Sequence, residues 1–251
     1  MARDEVLPYR AFTLFRIQIQ LQSDKQTSVK PHYTALCSTA LAVSAPVGIP
    51  PWSNVRESVW DLRCDSSPNI NVYKGGCVVN RAIPTFKLNP NSTVVGRTAN
   101  HVQKALTTPQ LTDPVLPGKQ QPNSIPGGEA SNKPLHRIVS KTKIDANRDR
   151  AIATCLAIRA YAKPESCDEY PMASTREGAN YDQVHFSVEI LPLDDNCKAG
   201  NMLGWFYQRN RIVPDHTTDL GLAVSGSPFW VGVGTGGSLP STPTTPSSAG
   251  A

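Results

Sequence analysis

The side chains of this chain that could do chemistry crowd into one stretch. It reads Cys167-Asp168-Glu169-Tyr170-Pro171-Met172-Ala173-Ser174-Thr175-Arg176-Glu177-Gly178. Carboxylates, an arginine, hydroxyls and a thiol fall together in a chain that is only 18% charged. Carboxylates are hard oxygen donors and suit Mg2+, Mn2+ or Ca2+ rather than soft metals. Beside a phosphodiester, one such ion screens the phosphate and stabilises the leaving oxygen while a nearby base takes a proton from water. The residues for that reaction are present. Asp168, Glu169 and Glu177 supply acids, Asn196 a neutral oxygen ligand, His185 a ligand or base, and Arg176 a phosphate contact. The competing reading is a solvated loop in which Arg176 pairs with an acid.

The elements around the stretch decide whether it can act as a site. The spacing predicts a helix over Asp145–Ala162, with Asp145 as N-cap and Pro164 as stop. Ile152, Cys155 and Leu156 fall at i, i+3 and i+4, so they should share a core-facing side. The acidic stretch follows as a loop. Val184 to Ile190 then alternates strictly, with Val184, Phe186, Val188 and Ile190 on one face and His185, Ser187 and Glu189 on the other. Asp194-Asp195-Asn196 opens a helix through Met202, Leu203, Phe206 and Tyr207, with Arg209 and Arg211 at its far end. This order can bring a loop-borne base and a helix-borne Asn196 onto one ion.

Further upstream, Ser58 to Cys64 alternates as a half-buried strand, and short strands are expected around Cys77 and Phe86. A short helical pattern covers His101 to Leu106 and ends before Pro109, with His101 read as a surface or capping residue. Residues 107–134 read as a long loop. His32, His136 and His216 read as structural. Phe229-Trp230-Val231 reads as a last buried strand. Residues 1–49 are expected to form a poorly ordered N-terminal extension, residues 50–233 the working domain, and residues 234–251 a disordered Gly/Ser/Thr/Pro tail.

Composition narrows the class. The net charge of +5 is compatible with a polyanionic partner, and no apolar run is long enough to span a bilayer. Six cysteines without a C-x-x-C pair argue against a zinc ribbon and for disulfides in an exported protein. Cys64 with Cys77 and Cys155 with Cys167 are the first pairs to consider. Met1–Gln22 does not read as a clean signal peptide, because Asp4 and Glu5 stand where positive charge belongs and Arg10 and Arg16 interrupt the apolar stretch. Three explanations stay open: a start assigned too early, the released end of a longer protein, or another export route.

The run from Cys167 to Gly178 resembles the signature of the sporulation-type extracellular deoxyribonucleases of the NucA/NucB family, actinobacterial members above all. The resemblance continues through Asp195-Asn196, Ala199-Gly200, Phe206-Tyr207 and Arg209-Asn210-Arg211 to Pro228-Phe229-Trp230-Val231, with Pro134 to Arg137 and Asn147-Arg148 upstream. It covers about residues 134–233. It implies an α+β fold with a ββα-metal nuclease-type core, short antiparallel strands and a few helices, after an irregular N-terminal region. It also implies a secreted endonuclease that uses Mg2+ or Mn2+ and is indifferent to DNA sequence. By motif position Asp168 takes the place of the base. Glu169 and Glu177 match the following acids, and Asn196 matches the Asn of the D-N pair. Metal ligation then falls to Asp168, Glu177 and Asn196, with His185 and Gln208 as further candidates. Phosphate falls to Arg176, Lys198, Arg209 and Arg211.

The expected reaction is therefore hydrolysis of DNA phosphodiesters by a monomer, with RNA left open as a substrate. Two other readings stand beside it. One is a nuclease toxin domain of a larger secreted effector, with an immunity or inhibitor protein as partner. The other is an inactive disulfide-stapled module that binds nucleic acid or a cell surface.

Overall fold

The computed structural model describes residues 17–23, 34–43, 57–72, 75–217 and 223–235. The chain divides into two compact units, Met1–Pro68 with Gly75–Ala82, and Asn69–Lys74 with Ile83–Ala251. The tail beyond residue 235 and His32 lie outside the described residues.

The first unit is an antiparallel sheet of β1 (Ile17–Ser23), β2 (Thr34–Val43), β3 (Glu57–Asp65) and β4 (Gly76–Val79), in that spatial order. Two of these strands fall within the first 49 residues. Cys64 and Cys77 sit opposite each other on β3 and β4 and are joined by a disulfide. This is the first pair the sequence pointed to.

The second unit holds the remaining elements. In chain order these are β5 (Thr85–Leu88), α1 (Gly96–Thr107), β6 (Leu135–His136), α2 (Lys141–Ile158), β7 (Glu165–Tyr170), β8 (Ser187–Pro192), α3 (Leu193–Arg209), β9 (His216–Thr217), β10 (Ala223–Val224) and β11 (Pro228–Val233). β11 lies between β5, to which it is parallel, and β6, to which it is antiparallel. β7 and β8 pair antiparallel and lead straight into α3. The fold is thus α+β, as expected, and β7-β8-α3 is a literal ββα succession.

The β7–β8 pair lies between two cores. On one side Tyr170 joins Phe86, Val102, Leu203, Tyr207, Phe229 and Val231. Phe206 packs at the edge of this core, its ring 5.4 Å from Phe86 and 5.6 Å from Phe229. On the other side Cys167, Phe186 and Val188 meet Ala151 and Cys155 of α2. A disulfide joins Cys155 to Cys167 and so fixes α2 to β7. This is the second expected pair.

Three local expectations change. The predicted helix over Asp145–Ala162 starts earlier and ends earlier, at Lys141 and Ile158, with Ser140 at its N-cap position. Its buried stripe is Asn147, Ala151 and Cys155, at intervals of one turn, while Ile152 and Leu156 are exposed. The inward stripe is centred on Ala151, between Asn147 and Cys155, which leaves Ile152 and Leu156 to one side of it. Second, Cys167 to Tyr170 is strand rather than loop, since each residue pairs across to β8. Third, the strand after the motif begins at Ser187, and Ser187 is fully buried. Alternation placed it on a polar face, but that face is covered by α1, which supplies a hydrogen-bond partner.

The loop of residues 107–134 contains short 3-10 turns and little else. Gly127 closes it with a left-handed φ of 112°, and a Cβ there would lie 2.1 Å from the Tyr170 hydroxyl. Only glycine fits that approach.

Candidate active site

The acidic stretch runs along the rims of two clefts. The larger, about 830 Å3, is lined by Asp168, Glu169, Asn196, Arg137 and Arg148 over an apolar wall that includes Phe86, Leu88 and Leu203. The smaller, about 350 Å3, is lined by His136, Arg176, Glu177, Asp182 and His185 together with Lys133. Met172, Ala173 and Ser174 border the first cleft and Arg176 and Glu177 the second. The buried Thr175 between them bridges to Arg137.

Asp168 is held from behind. His101 on α1 is 1% exposed, and its Nδ1 lies 2.7 Å from Asp168 Oδ2. The Ser187 hydroxyl lies 2.8 Å from the other ring nitrogen. His101 is therefore not the surface or capping residue expected. The helical spacing was correct, but a single histidine says nothing of which side its helix buries. Burial pushes the Asp168 carboxyl up, and the His101 hydrogen bond partly opposes the rise. Only Oδ2 is engaged; Oδ1 accepts no hydrogen bond from a described residue.

Glu169 accepts the Ala173 N–H on Oε1 at 3.2 Å. Burial, then the neighbouring Asp168 charge, push its carboxyl up to about 7. Arg148, which lines the same cleft, acts in the opposite direction. Asn196 stands in the first turn of α3 and donates from Nδ2 to Ser166 Oγ and to the Cys167 carbonyl, which leaves its amide oxygen unused by these contacts. Its neighbour Asp195 has a different task. Its two oxygens accept the N–H groups of Arg97 and Thr98 at 3.0 and 2.9 Å, satisfying free donors in the first turn of α1.

Glu177 does not line the cleft of Asp168 and Asn196. Its Oε2 accepts the His136 backbone N–H, and its Oε1 faces His136 Nδ1 and Arg176 Nε. Burial raises its carboxyl, but the hydrogen bonds from His136 outweigh this and hold it below the usual range. Arg176 also reaches Asp215 at 3.4 Å and Ser225 at 3.0 Å, so this end of the stretch follows the reading in which Arg176 pairs with acids. His185 faces Asp182 Oδ2 at 2.6 Å and the Gly118 carbonyl at 3.1 Å, which occupies both ring nitrogens.

The other sequence candidates are dispersed. Gln208 bonds the Asn69 carbonyl and the Val72 N–H and thereby holds that loop. Lys198 pairs with Asp194 one turn away on the exposed side of α3. Arg209 is exposed. Arg211 is buried at 4%, in a left-handed turn after α3, so it does not offer its guanidinium to a phosphate on the surface. Ser227 accepts the Val213 N–H and acts as a strand-end clasp. Arg148 enters the sequence reading only through the resemblance of Asn147-Arg148. It is exposed, lines the cleft, and its charge acts on Glu169.

The sequence model of the deoxyribonuclease NucA/NucB family matches residues 131–219. This segment is a NucA/NucB-type deoxyribonuclease domain. The NucA/NucB match includes α2, β7, β8 and α3, hence Asp168, Glu169 and Asn196. It marks the chain as a nuclease that acts on DNA. No curated protein and no solved structure matches the chain significantly. Among the described residues no helix is long and apolar enough to cross a membrane.

Among the described residues, no group of three or more His, Cys, Asp and Glu side chains forms a metal cage. Mg2+ does not demand one, since it keeps several waters and takes one or two carboxylates. The donors in the large cleft meet that requirement. Asp168 and Glu169 are consecutive residues of β7 that leave opposite faces of the strand, each raised by burial and each lining the cleft, and Asn196 brings a neutral amide oxygen. A divalent cation beside either acid would relieve its desolvation.

Proposed function

We propose that this protein is a divalent-metal-dependent endonuclease that hydrolyses DNA phosphodiesters without regard to sequence, working in the cleft of Asp168, Glu169 and Asn196. One observation carries the reading. The large cleft beside the NucA/NucB segment is lined by two desolvated carboxylates, an amide and Arg148. Glu169 and Asn196 would hold Mg2+ or Mn2+, which supplies Lewis-acid stabilisation of charge on the phosphate when bound.

The chain's own groups do the rest. Asp168 takes a proton from the attacking water on the oxygen that His101 leaves free, and its raised affinity for protons suits it as a base. Arg148 binds the phosphate; Arg137, whose guanidinium lies over the Tyr207 ring at 4.9 Å, lines the same cleft. Contacts of this kind address the backbone and carry no sequence information. Arg176, Lys198 and Arg209 lie outside this cleft's lining and belong to the wider electrostatic attraction of DNA. The two disulfides favour an oxidising, extracellular setting.

Plasmid nicking tests the reading. The purified chain should relax supercoiled DNA with Mg2+ or Mn2+ and stop on addition of EDTA. Intact plasmid under both metals refutes the enzyme. If Asp168→Ala cuts as well as the parent, the assignment of the base is wrong.

A further inference from the structure

Ser187, His101 and Asp168 form a linear hydrogen-bonded series, with links of 2.8 and 2.7 Å. In order and spacing the series resembles a nucleophile, base and orienting acid. Burial excludes that use. Ser187 is 0% exposed and His101 1%, so no substrate carbonyl or phosphate reaches the hydroxyl. Asp168, the one member that lines the cleft, is where the series can act.

We propose that His101 is the positioning residue for Asp168, fixing one carboxylate oxygen through its Nδ1–H while the Ser187 hydroxyl holds the ring from the far side. The proposal rests on the reading of Asp168 as base. The three side chains come from three elements, α1, β7 and β8, so the carboxylate is gripped where these elements meet. The placement of α1 is itself fixed from α3, because Asp195 accepts two N–H groups of the α1 first turn. One turn along, Lys104 meets Glu189 of β8 at 3.4 Å and secures the same face. A carboxylate bonded at Oδ2 cannot rotate freely, which keeps Oδ1 in one orientation. Such outer partners orient the groups that do the chemistry, and their loss costs turnover more than binding.

The nitrogen that faces Asp168 is Nδ1, whose place on the side chain is that of the Asn amide nitrogen. His101→Asn therefore keeps a donor and His101→Leu removes it. In the full chain, nicking kinetics with Mn2+ should show His101→Leu lowering kcat about 10–100-fold with KM for DNA little changed. His101→Asn should restore most of the loss, and Ser187→Ala should cost less than His101→Leu. Equal impairment in the Leu and Asn variants overturns the proposal, because it reduces His101 to a space-filler. Parental kcat in His101→Leu beside an inactive Asp168→Asn overturns it too, and leaves the nuclease reading intact. An active Asp168→Asn removes the base assignment and this proposal with it. If His101→Leu does not fold, 15N-histidine NMR of the parent decides. A slowly exchanging Nδ1–H that shifts in Asp168→Asn is expected, and an unprotonated Nδ1 overturns the proposal.

Discussion

Asn147 offers the sharpest test of how the acidic stretch is held. It sits on the buried stripe of α2 at 3% exposure. Its amide nitrogen donates to the carbonyls of Ala173 and Thr175 at 2.9 and 3.1 Å, and its amide oxygen accepts the Asn180 N–H at 3.0 Å. One side chain thus ties this segment to α2, on the side away from the backbone bridge between Thr175 and Arg137. Gly178 permits the approach, since a Cβ there would lie 2.4 Å from Asn147 Nδ2. Asn147→Ala strands two carbonyls and one N–H in the interior. At about 1 kcal/mol for each lost bond, the variant should be less stable by about 3 kcal/mol. Asn147→Asp keeps the shape but turns the donor into an acceptor, so two carbonyls then face a carboxylate. It should be worse than Ala at pH 7 and recover as the acid is protonated at low pH. Urea denaturation of the oxidised protein, with the slope against urea checked for constancy, measures both. A loss well under about 1 kcal/mol in Asn147→Ala, or parental stability in Asn147→Asp at pH 7, refutes the clamp.

Other outcomes follow from neighbouring features. Glu169 has a folded value of about 7 against 4.5 as a free side chain. The native state therefore binds the extra proton between those values, and the stability Glu169 contributes is intact below about 4.5 and lost as pH rises through about 7. Without divalent ions, Glu169→Gln should gain up to about 3 kcal/mol over the parent at pH 8 and nothing at pH 4, read by denaturation at both. Equal gains at both pH values would refute the burial argument. Replacing both Cys155 and Cys167 by Ser opens a link spanning 12 residues and should cost about 3 kcal/mol in a thermal melt; no change would show that packing alone fixes α2 on β7. The buried Tyr170 hydroxyl has no hydrogen-bond partner among the described residues. Tyr170→Phe should leave stability unchanged or raise it by about 1 kcal/mol, and a loss of that size would reveal a hidden partner.

The sequence made the chemistry legible before the geometry. Asp168, Glu169 and Asn196 were named from residue type, order and family likeness, and the structure lines one cleft with all three. The helix-strand-helix order around them was readable because periodicity is a local property. What escaped was tertiary. Glu177 stands nine residues after Asp168, yet β6 draws it to His136 and into another cleft. Ser187 alternated as a solvent-facing residue until α1 covered it. His101 lies 67 positions from Asp168, and no local pattern couples the two. Spacing alone places Ile152 and Leu156 inward with Cys155, whereas the buried stripe of α2 runs through Asn147, Ala151 and Cys155 and leaves both exposed.

The contact between His101 and Asp168 also bears on where this enzyme can be cut. The stretch recognisable as NucA/NucB begins at residue 131 and stops at 219. α1 ends at Thr107, and β11 does not start until Pro228. A piece trimmed to the recognisable stretch would lose the imidazole behind its buried acid, both neighbours of the Asp195 carboxylate, and two of the three strands around Phe229. It would keep every residue of the signature and lack the scaffold that gives them their shape. The unit to express, transplant or truncate is set by what Asp168 leans on, and that support lies on both sides of the segment that names the family.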